Sequence, residues 1–530
     1  MADENQWFFG KVAAFSVLLK LLLIPAYRST DFQVHRNWLA ITNSLPISKW
    51  YYEKTSQWTL DYPPFFAWLE FLLSQFASLV DSNMTKVENL GYASVETVIF
   101  QRLSVIAADL VLLYAGYQYY CYKNKSASKL GNSYKPQFVC ILFILNFGLI
   151  IVDHIHFQYN GFLFGILILS ITRMFENEFL WSAFWYSVLV NFKHIYLYIA
   201  PAYFVYLLKR YCFKHPQGSM TSYWLGVNIR NLLPFQLMKL GFLVISVFSV
   251  SFGPFIALGQ LQQVLQRLFP FKRGLCHAYW APNFWALYNV VDKILATIGS
   301  KLGLENLLEL RSASMTGGLV RHSQHAVLPS VSPLVTLVLT LLAMMPCLIN
   351  LWIKRCNSER FLKAIVLCAY CSFIFGWHVH EKAVLLITIP LSLLSLESRI
   401  YARIFVIVST AGNLSLFPLL FQRPETPIKV ILMLLYTSLT FWAVTKVFCS
   451  SGNKPNQHVL RWYENIYLFG LIPLEIYNLL IHSALGFDLT LPFLPLLLTS
   501  VYCSVGILWS WLLFYYSVLT EGDHDKVSID

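Results

Sequence analysis

The sequence is short of charge. Only 12% of its 530 residues are Asp, Glu, Lys or Arg, against about 25% in a typical soluble domain. That shortage excludes an ordinary water-soluble enzyme. Low-complexity segments and soluble domains are missing too, and no internal repeat is visible. A secondary transporter is commonly built from inverted repeats, so their absence counts against that class. The stretch from Met1 to Phe9 has no basic leader region and no small-residue cleavage site. The first apolar run is therefore expected to remain as an anchor. The ten cysteines mostly lie in or beside apolar runs and make no disulfide framework. Cys368 and Cys371 form a C-x-x-C within an apolar helix, where packing is favoured over redox chemistry. Cys276 falls in a long loop without an obvious partner.

What is present is apolar. Hydrophobic residues make up 57% of the chain and aromatics 16%. Runs long enough to cross a bilayer, roughly 20 residues each, recur along the whole length. Trp50-Tyr51-Tyr52 and Trp280 sit where runs end, as interfacial aromatics do. Lys and Arg outnumber Asp and Glu by 39 to 27. The basic residues are dispersed between apolar runs, which fits cytoplasmic loops and excludes nucleic-acid binding. The fold class is an all-α polytopic membrane protein with about fourteen transmembrane helices and both termini cytoplasmic. The whole chain, 1–530, reads as a single membrane-embedded domain. Within it, two long non-cytoplasmic loops are expected at 28–98 and 259–326. The segment Phe65 to Val80 in the first loop suits a helix lying in the interface.

Ionisable groups are costly in a bilayer and mark function or the surface. Four clusters fall on the non-cytoplasmic side: Asp31 with His35 and Arg36; Asp61 before Tyr62-Pro63-Pro64; Asp153-His154-Ile155-His156-Phe157-Gln158-Tyr159-Asn160; and His378-Val379-His380-Glu381-Lys382. Lys272, Arg273 and His277 make a fifth candidate. Such convergence suggests a site for a charged polar substrate at the membrane surface. Each cluster also has a plainer reading. Asp31 can pair with His35 or Arg36 at a helix start. Asp61 can form a turn or an N-cap ahead of proline. The D-H-x-H spacing at Asp153 is a weak metal signal. Lys20 and Asp109, inside apolar runs, suit pairing between helices or snorkelling to the surface.

The strings Ser29-Thr30-Asp31-Phe32-Gln33-Val34-His35-Arg36-Asn37-Trp38, Leu60-Asp61-Tyr62-Pro63-Pro64, His156-Phe157-Gln158-Tyr159-Asn160 and Val379-His380-Glu381-Lys382 carry a further meaning. Together and in this order they resemble the dolichyl-phosphate-glucose-dependent glucosyltransferases of the endoplasmic reticulum. The stretches Phe269 to Trp285 and Gly376 to His380 resemble the branch that adds the second glucose to the lipid-linked oligosaccharide. The resemblance implies a GT-C architecture with a catalytic first luminal loop and an active site facing the lumen of the endoplasmic reticulum. It implies a dolichyl-phosphate-glucose donor, a dolichyl-pyrophosphate oligosaccharide acceptor and membrane lipid as partners. The donor glucose is β-linked and the product α-linked, so one inverting displacement with one base suffices.

On that resemblance Asp31 is the catalytic base and Asp61 the second candidate acid. His378, His380, Lys382 and Arg273 are candidates for the donor phosphate. Arg36, His156, Gln158, Tyr159 and Asn160 would bind sugar or support Asp31. No metal or other cofactor is expected, because cations can balance the leaving phosphate. Asn83-Met84-Thr85 is an expected glycosylation site. The alternatives are transfer of the first glucose and, in another class, a lipid-sugar transporter or flippase.

Overall fold

A computed structural model describes residues 2–127, 135–214, 231–269, 274–276, 280–303, 325–354, 356–448 and 458–521. Arg273, with Lys272 and His277, lies outside the described residues. Among the described residues the chain is helical, and the only β pairing is two isolated bridges, Phe213 with Leu232 and Cys276 with Val379. Among the described residues, eight helices are long and apolar enough to cross a membrane. Shorter apolar helices, Pro64–Val80, Asn160–Phe175 and Phe179–Phe192, lie among them. One apolar run carries only a short helix. Of Ala383 to Leu396 only Leu385–Ser392 is α-helical, 8 residues long, with a rise of about 12 Å against a hydrocarbon core of about 30 Å.

The chain divides into two compact units. The first comprises 1–270 and 422–429, and the second 271–421 and 430–530. In the first unit, helix Thr30–Ser44 opens the long loop, with Ser29 as its N-cap accepting from Asp31 N. Helix Pro64–Val80 packs on it and buries Phe66, Ala67, Glu70, Ser74 and Ala77. Its Leu72, Phe76 and Leu79 remain exposed. Pro63 is the N-cap of this helix and makes no side-chain cap bond. Asp61 is therefore not its N-cap.

Helix Asn160–Phe175 packs tightly on Leu110–Ala127 through Gly161 and Gly165, a G-x-x-x-G spacing that lets helices approach closely. A Cβ on Gly165 would sit 2.7 Å from Leu112 N, and one on Gly161 2.0 Å from Asp109 Oδ1. The residues before this helix form a π-helix, Ile150–Ile155, an irregularity often found at functional sites. Phe157 then takes φ +86°, a conformation rare for a bulky side chain. Arg102 holds this turn by donating to His154 O at 2.8 Å and Ile155 O at 2.9 Å. The same guanidinium donates to Tyr27 O at 2.7 Å.

In the second unit, helix Ser358–Phe375 ends at Gly376. A Cβ there would meet Ser372 O at 2.3 Å, so the helix stops on a residue without one. The segment around Gly274–Cys276 pairs with the turn that follows: His378 N donates to Leu275 O at 2.9 Å. Trp285 Nε1 donates to Gly376 O at 3.1 Å and Asn283 Nδ2 to Phe373 O at 3.1 Å. Much of the second long loop is helix Phe284–Lys301, rather than irregular chain.

Candidate active site

Asp31 lies in the first turn of helix Thr30–Ser44 and is half-buried. Gln158 Nε2 donates to its Oδ2 at 2.6 Å. His156 Nε2 stands 3.3 Å from the same oxygen. Ser29 Oγ donates to the His156 carbonyl, so one serine both caps the helix and fastens it to the His156 turn. Hydrogen bonds to a charged group are each worth about 1.5–3 kcal/mol. The carboxylate is thus held in position from two sides, while its side chain keeps 24% of its surface open.

The support continues behind Gln158. Asn160 Nδ2 donates to Gln158 Oε1 at 2.8 Å and to Asp153 Oδ1 at 2.9 Å. Gly161 N donates to Asp153 Oδ2 at 2.5 Å. Lys193 Nζ donates to Asn160 Oδ1 at 3.0 Å and Gln158 Oε1 at 3.4 Å, and lies 5.0 Å from the Tyr62 ring centroid. His154 Nε2 pairs with Asp109 at 2.7 Å.

Asp61 is half-buried beside Tyr51, Tyr62 and Arg267. Burial, and after it the charges of Asp61 and Asp31, push the Tyr62 hydroxyl well above its ordinary range. Tyr62 is therefore a neutral hydroxyl in the field of both acids. Arg267 braces this corner, donating to Tyr51 O at 3.0 Å and Thr59 Oγ1 at 2.9 Å. Arg36, five residues after Asp31, turns elsewhere. It is buried, and its Nη1 donates to Met84 O at 3.2 Å and Lys86 O at 2.8 Å. Desolvation lowers its pKa to about 10. It fixes the turn carrying Asn83, which lies in the short helix Ser82–Thr85. Tyr159 is also buried, its hydroxyl 2.8 Å from Ser104 Oγ. His35 pairs with Glu70 at 2.7 Å inside an aromatic cluster that includes Trp38, Phe66, Phe157 and Tyr159. His35 is thus Glu70's partner, and the expected pairing with Asp31 is not formed.

His378, His380 and Lys382 are half-buried in the second unit. His378 takes φ +51°, and its Nδ1 donates to Gly274 O at 2.7 Å. Because the helix has ended, the two imidazoles approach, with ring centroids 5.7 Å apart. Cys276 has a partner after all, accepting from Asn289 Nδ2 at 3.2 Å.

Three residues of this architecture escaped the sequence reading: Lys193, Arg102 and Arg267. Lys193 had a signal. It is an ionisable residue between two apolar runs, where such a group is costly and therefore conspicuous. Arg102 and Arg267 stood within amphipathic or apolar stretches with nothing to mark them.

A membrane-embedded, all-helical protein with a supported carboxylate beside amide, imidazole and hydroxyl groups is equipped for transfer of a polar group. The chain belongs to the ALG6, ALG8 glycosyltransferase family, whose pattern matches residues 16–514. It is 52% identical to the Mus musculus dolichyl pyrophosphate Glc1Man9GlcNAc2 alpha-1,3-glucosyltransferase over 524 residues, covering 98% of this chain and 97% of that protein. The Arabidopsis thaliana protein of the same name is 46% identical over 524 residues, 97% of each chain. A Drosophila melanogaster relative, with the same name qualified as probable, is 48% identical over 514 residues, 96% of this chain and 94% of its own.

Proposed function

We propose that the chain transfers glucose from dolichyl-phosphate-glucose to Glc1Man9GlcNAc2-pyrophosphoryl-dolichol, inverting the donor to form an α-1,3 linkage. The observation that carries the reading is Asp31, oriented by Gln158 and His156 in a chain that matches relatives of that name along nearly their full length. Asp31 takes the proton of the acceptor hydroxyl as its oxygen attacks the anomeric carbon. Asp61 and the neutral Tyr62 orient the acceptor beside it. Arg36 and Tyr159, turned to Met84 and Ser104, support the site from behind, as His156, Gln158 and Asn160 do from the front.

The leaving phosphate is a stable anion and needs cations and hydrogen-bond donors more than a general acid. His378, His380, Lys382 and Arg273 are assigned to it by their chemistry, and the transfer runs without a metal ion. The finer architecture belongs to the same reading: a GT-C fold of about fourteen spans in the endoplasmic reticulum membrane, working as one domain. Its loops 28–98 and 259–326 and its active site face the lumen, its termini face the cytoplasm, and Asn83 carries a glycan.

The deciding experiment is an assay of purified protein with dolichyl-phosphate-glucose and defined lipid-linked acceptors, with and without EDTA, scored by glycan mass and linkage. One α-1,3-linked glucose added to the monoglucosylated acceptor is expected. Transfer to the non-glucosylated acceptor instead would move the chain to the first-glucose step.

A further inference from the structure

Lys193 closes a directional chain of hydrogen bonds that ends on Asp31. An ammonium group has three donors and no acceptor. Whatever amide groups face it must present their oxygens, as Asn160 Oδ1 and Gln158 Oε1 do. With its oxygen committed to Lys193, the Asn160 carboxamide turns its Nδ2 to Gln158 Oε1 and Asp153 Oδ1. With its own oxygen committed to both Lys193 and Asn160, Gln158 has its amino group left for Asp31. The reversed Gln158 would set donors against donors at Lys193 and Asn160. It would also present a carbonyl oxygen to Asp31, which suits a protonated acid and opposes a carboxylate. Amide orientation is ordinarily fixed by the surrounding network, and here a donor-only cation fixes it.

We infer that Lys193 is a positioning residue which, acting through the Gln158 and Asn160 carboxamides, keeps Asp31 an ionised hydrogen-bond acceptor and so keeps it competent as a base. The inference rests on the reading of Asp31 as the base. Five elements meet here, one of them helix Asn160–Phe175, which supplies Asn160. Helix Phe179–Phe192 ends at Lys193, and the first loop supplies Asp31, Asp61 and Tyr62. The turn after the π-helix supplies His156 and Gln158, and the π-helix itself Asp153. Among the described residues the titratable groups about the network include His156, Asp61, Tyr62 and Asp153, with Tyr196 beside Tyr62 and Asp153, and Asp109 beside Asp153. Of these, His156 lies on Asp31 itself, at 3.3 Å. Lys193 is half-buried at the end of its helix, where a cation without a task would extend to water.

The test is the pH dependence of kcat/KM for full-length enzyme, assayed with dolichyl-phosphate-glucose and the monoglucosylated acceptor. Lys193→Met, Lys193→Arg, Gln158→Glu and Asp31→Asn are compared with the wild type. Each profile is also recorded in a His156→Asn background, which removes the titration of the imidazole. In Lys193→Met the acid limb moves up by on the order of one pH unit, so transfer on that limb falls roughly tenfold. Lys193→Arg keeps a donor-only cation and leaves the limb in place. Gln158→Glu sets a second carboxyl group against Asp31 and moves the limb up whether or not Lys193→Met folds, because two adjacent carboxylates do not ionise together. A limb unmoved in folded Lys193→Met, with transfer merely lowered at every pH, overturns the inference and leaves Asp31 as the base. Should Lys193→Met not fold, an unmoved limb in Gln158→Glu overturns it equally. Near-normal transfer by Asp31→Asn removes the base itself, and the inference with it.

Discussion

Two histidines two residues apart face two aspartates, and the outcomes differ. His154 pairs with Asp109, which also accepts from Lys20 at 2.7 Å, and the three side chains are 3–4% exposed. His156 stands beside Asp31, whose side chain is 24% exposed and whose neighbours are an amide and an imidazole. The first group is a closed ion-pair cluster in the helical interior: a cation balances the acid, and no room is left for a substrate. The second is an acid oriented by its neighbours and still 24% exposed. Acid and imidazole side by side do not make a site. What separates the structural cluster from the reactive one is how much of the carboxylate side chain solvent reaches.

The largest expected effect separates these two acids. Asp31→Asn keeps the shape and loses the base, so single-turnover glucose transfer falls by roughly 10² to 10⁴ while thermal melting is unchanged. Asp61→Asn costs less. A collapse confined to Asp61→Asn would hand that residue the role of base. Asp109→Asn produces the opposite pattern. It leaves Lys20 buried without a counter-charge, and breaking a buried pair costs about 3–5 kcal/mol. The protein melts much earlier, yet transfer per folded molecule stays within a few-fold of wild type. If Asp109→Asn instead matched Asp31→Asn in turnover at full stability, the distinction drawn above would be wrong.

Smaller effects belong to the second unit. His378→Ala, His380→Ala and Lys382→Ala should each lower turnover by a partial amount, with 10² to 10³ as the upper range for loss of one anion-stabilising donor. Unchanged turnover in all three, with folding intact, would pass the phosphate role to Arg273 and Lys272. The smallest effect is one of stability. Burial raises the pKa of Asp292, but the N–H groups of Leu328, Ala326 and Val327 outweigh it, and the carboxyl lies below its ordinary value of 3.8. A lowered folded pKa means that the stabilisation is present above the unfolded pKa and is lost as pH falls through the folded one. Asp292→Asn should therefore lower stability by about 1 kcal/mol at neutral pH. The gap to wild type should close when melting is repeated below pH 3.8. A gap that persists in acid would mean that shape and not charge is what Asp292 supplies.

Charge scarcity and repeated apolar runs determined, from the sequence alone, that this is a helical membrane protein. The boundary clusters were legible for the same physical reason: a bilayer makes every ionisable group conspicuous. Lys20 and Asp109 were legible as pairing or snorkelling groups, and the tertiary structure joins them to each other. The order of Asp31, Asp61, His156 to Asn160 and His380 to Lys382 carried the family. Tertiary structure decided what each of these residues faces. Arg36 and His35 lie within five residues of Asp31, yet one holds the Met84 carbonyl and the other Glu70. Lys193 reaches Gln158 across 35 residues of sequence. The direction of an amide, the exposure of a carboxylate and the loss of Asp61 as a cap depend on neighbours distant in the chain. Hydropathy registers that a polar group sits at the boundary, but hydrogen-bond direction is set by the packed partner, and that partner is fixed only when the helices come together.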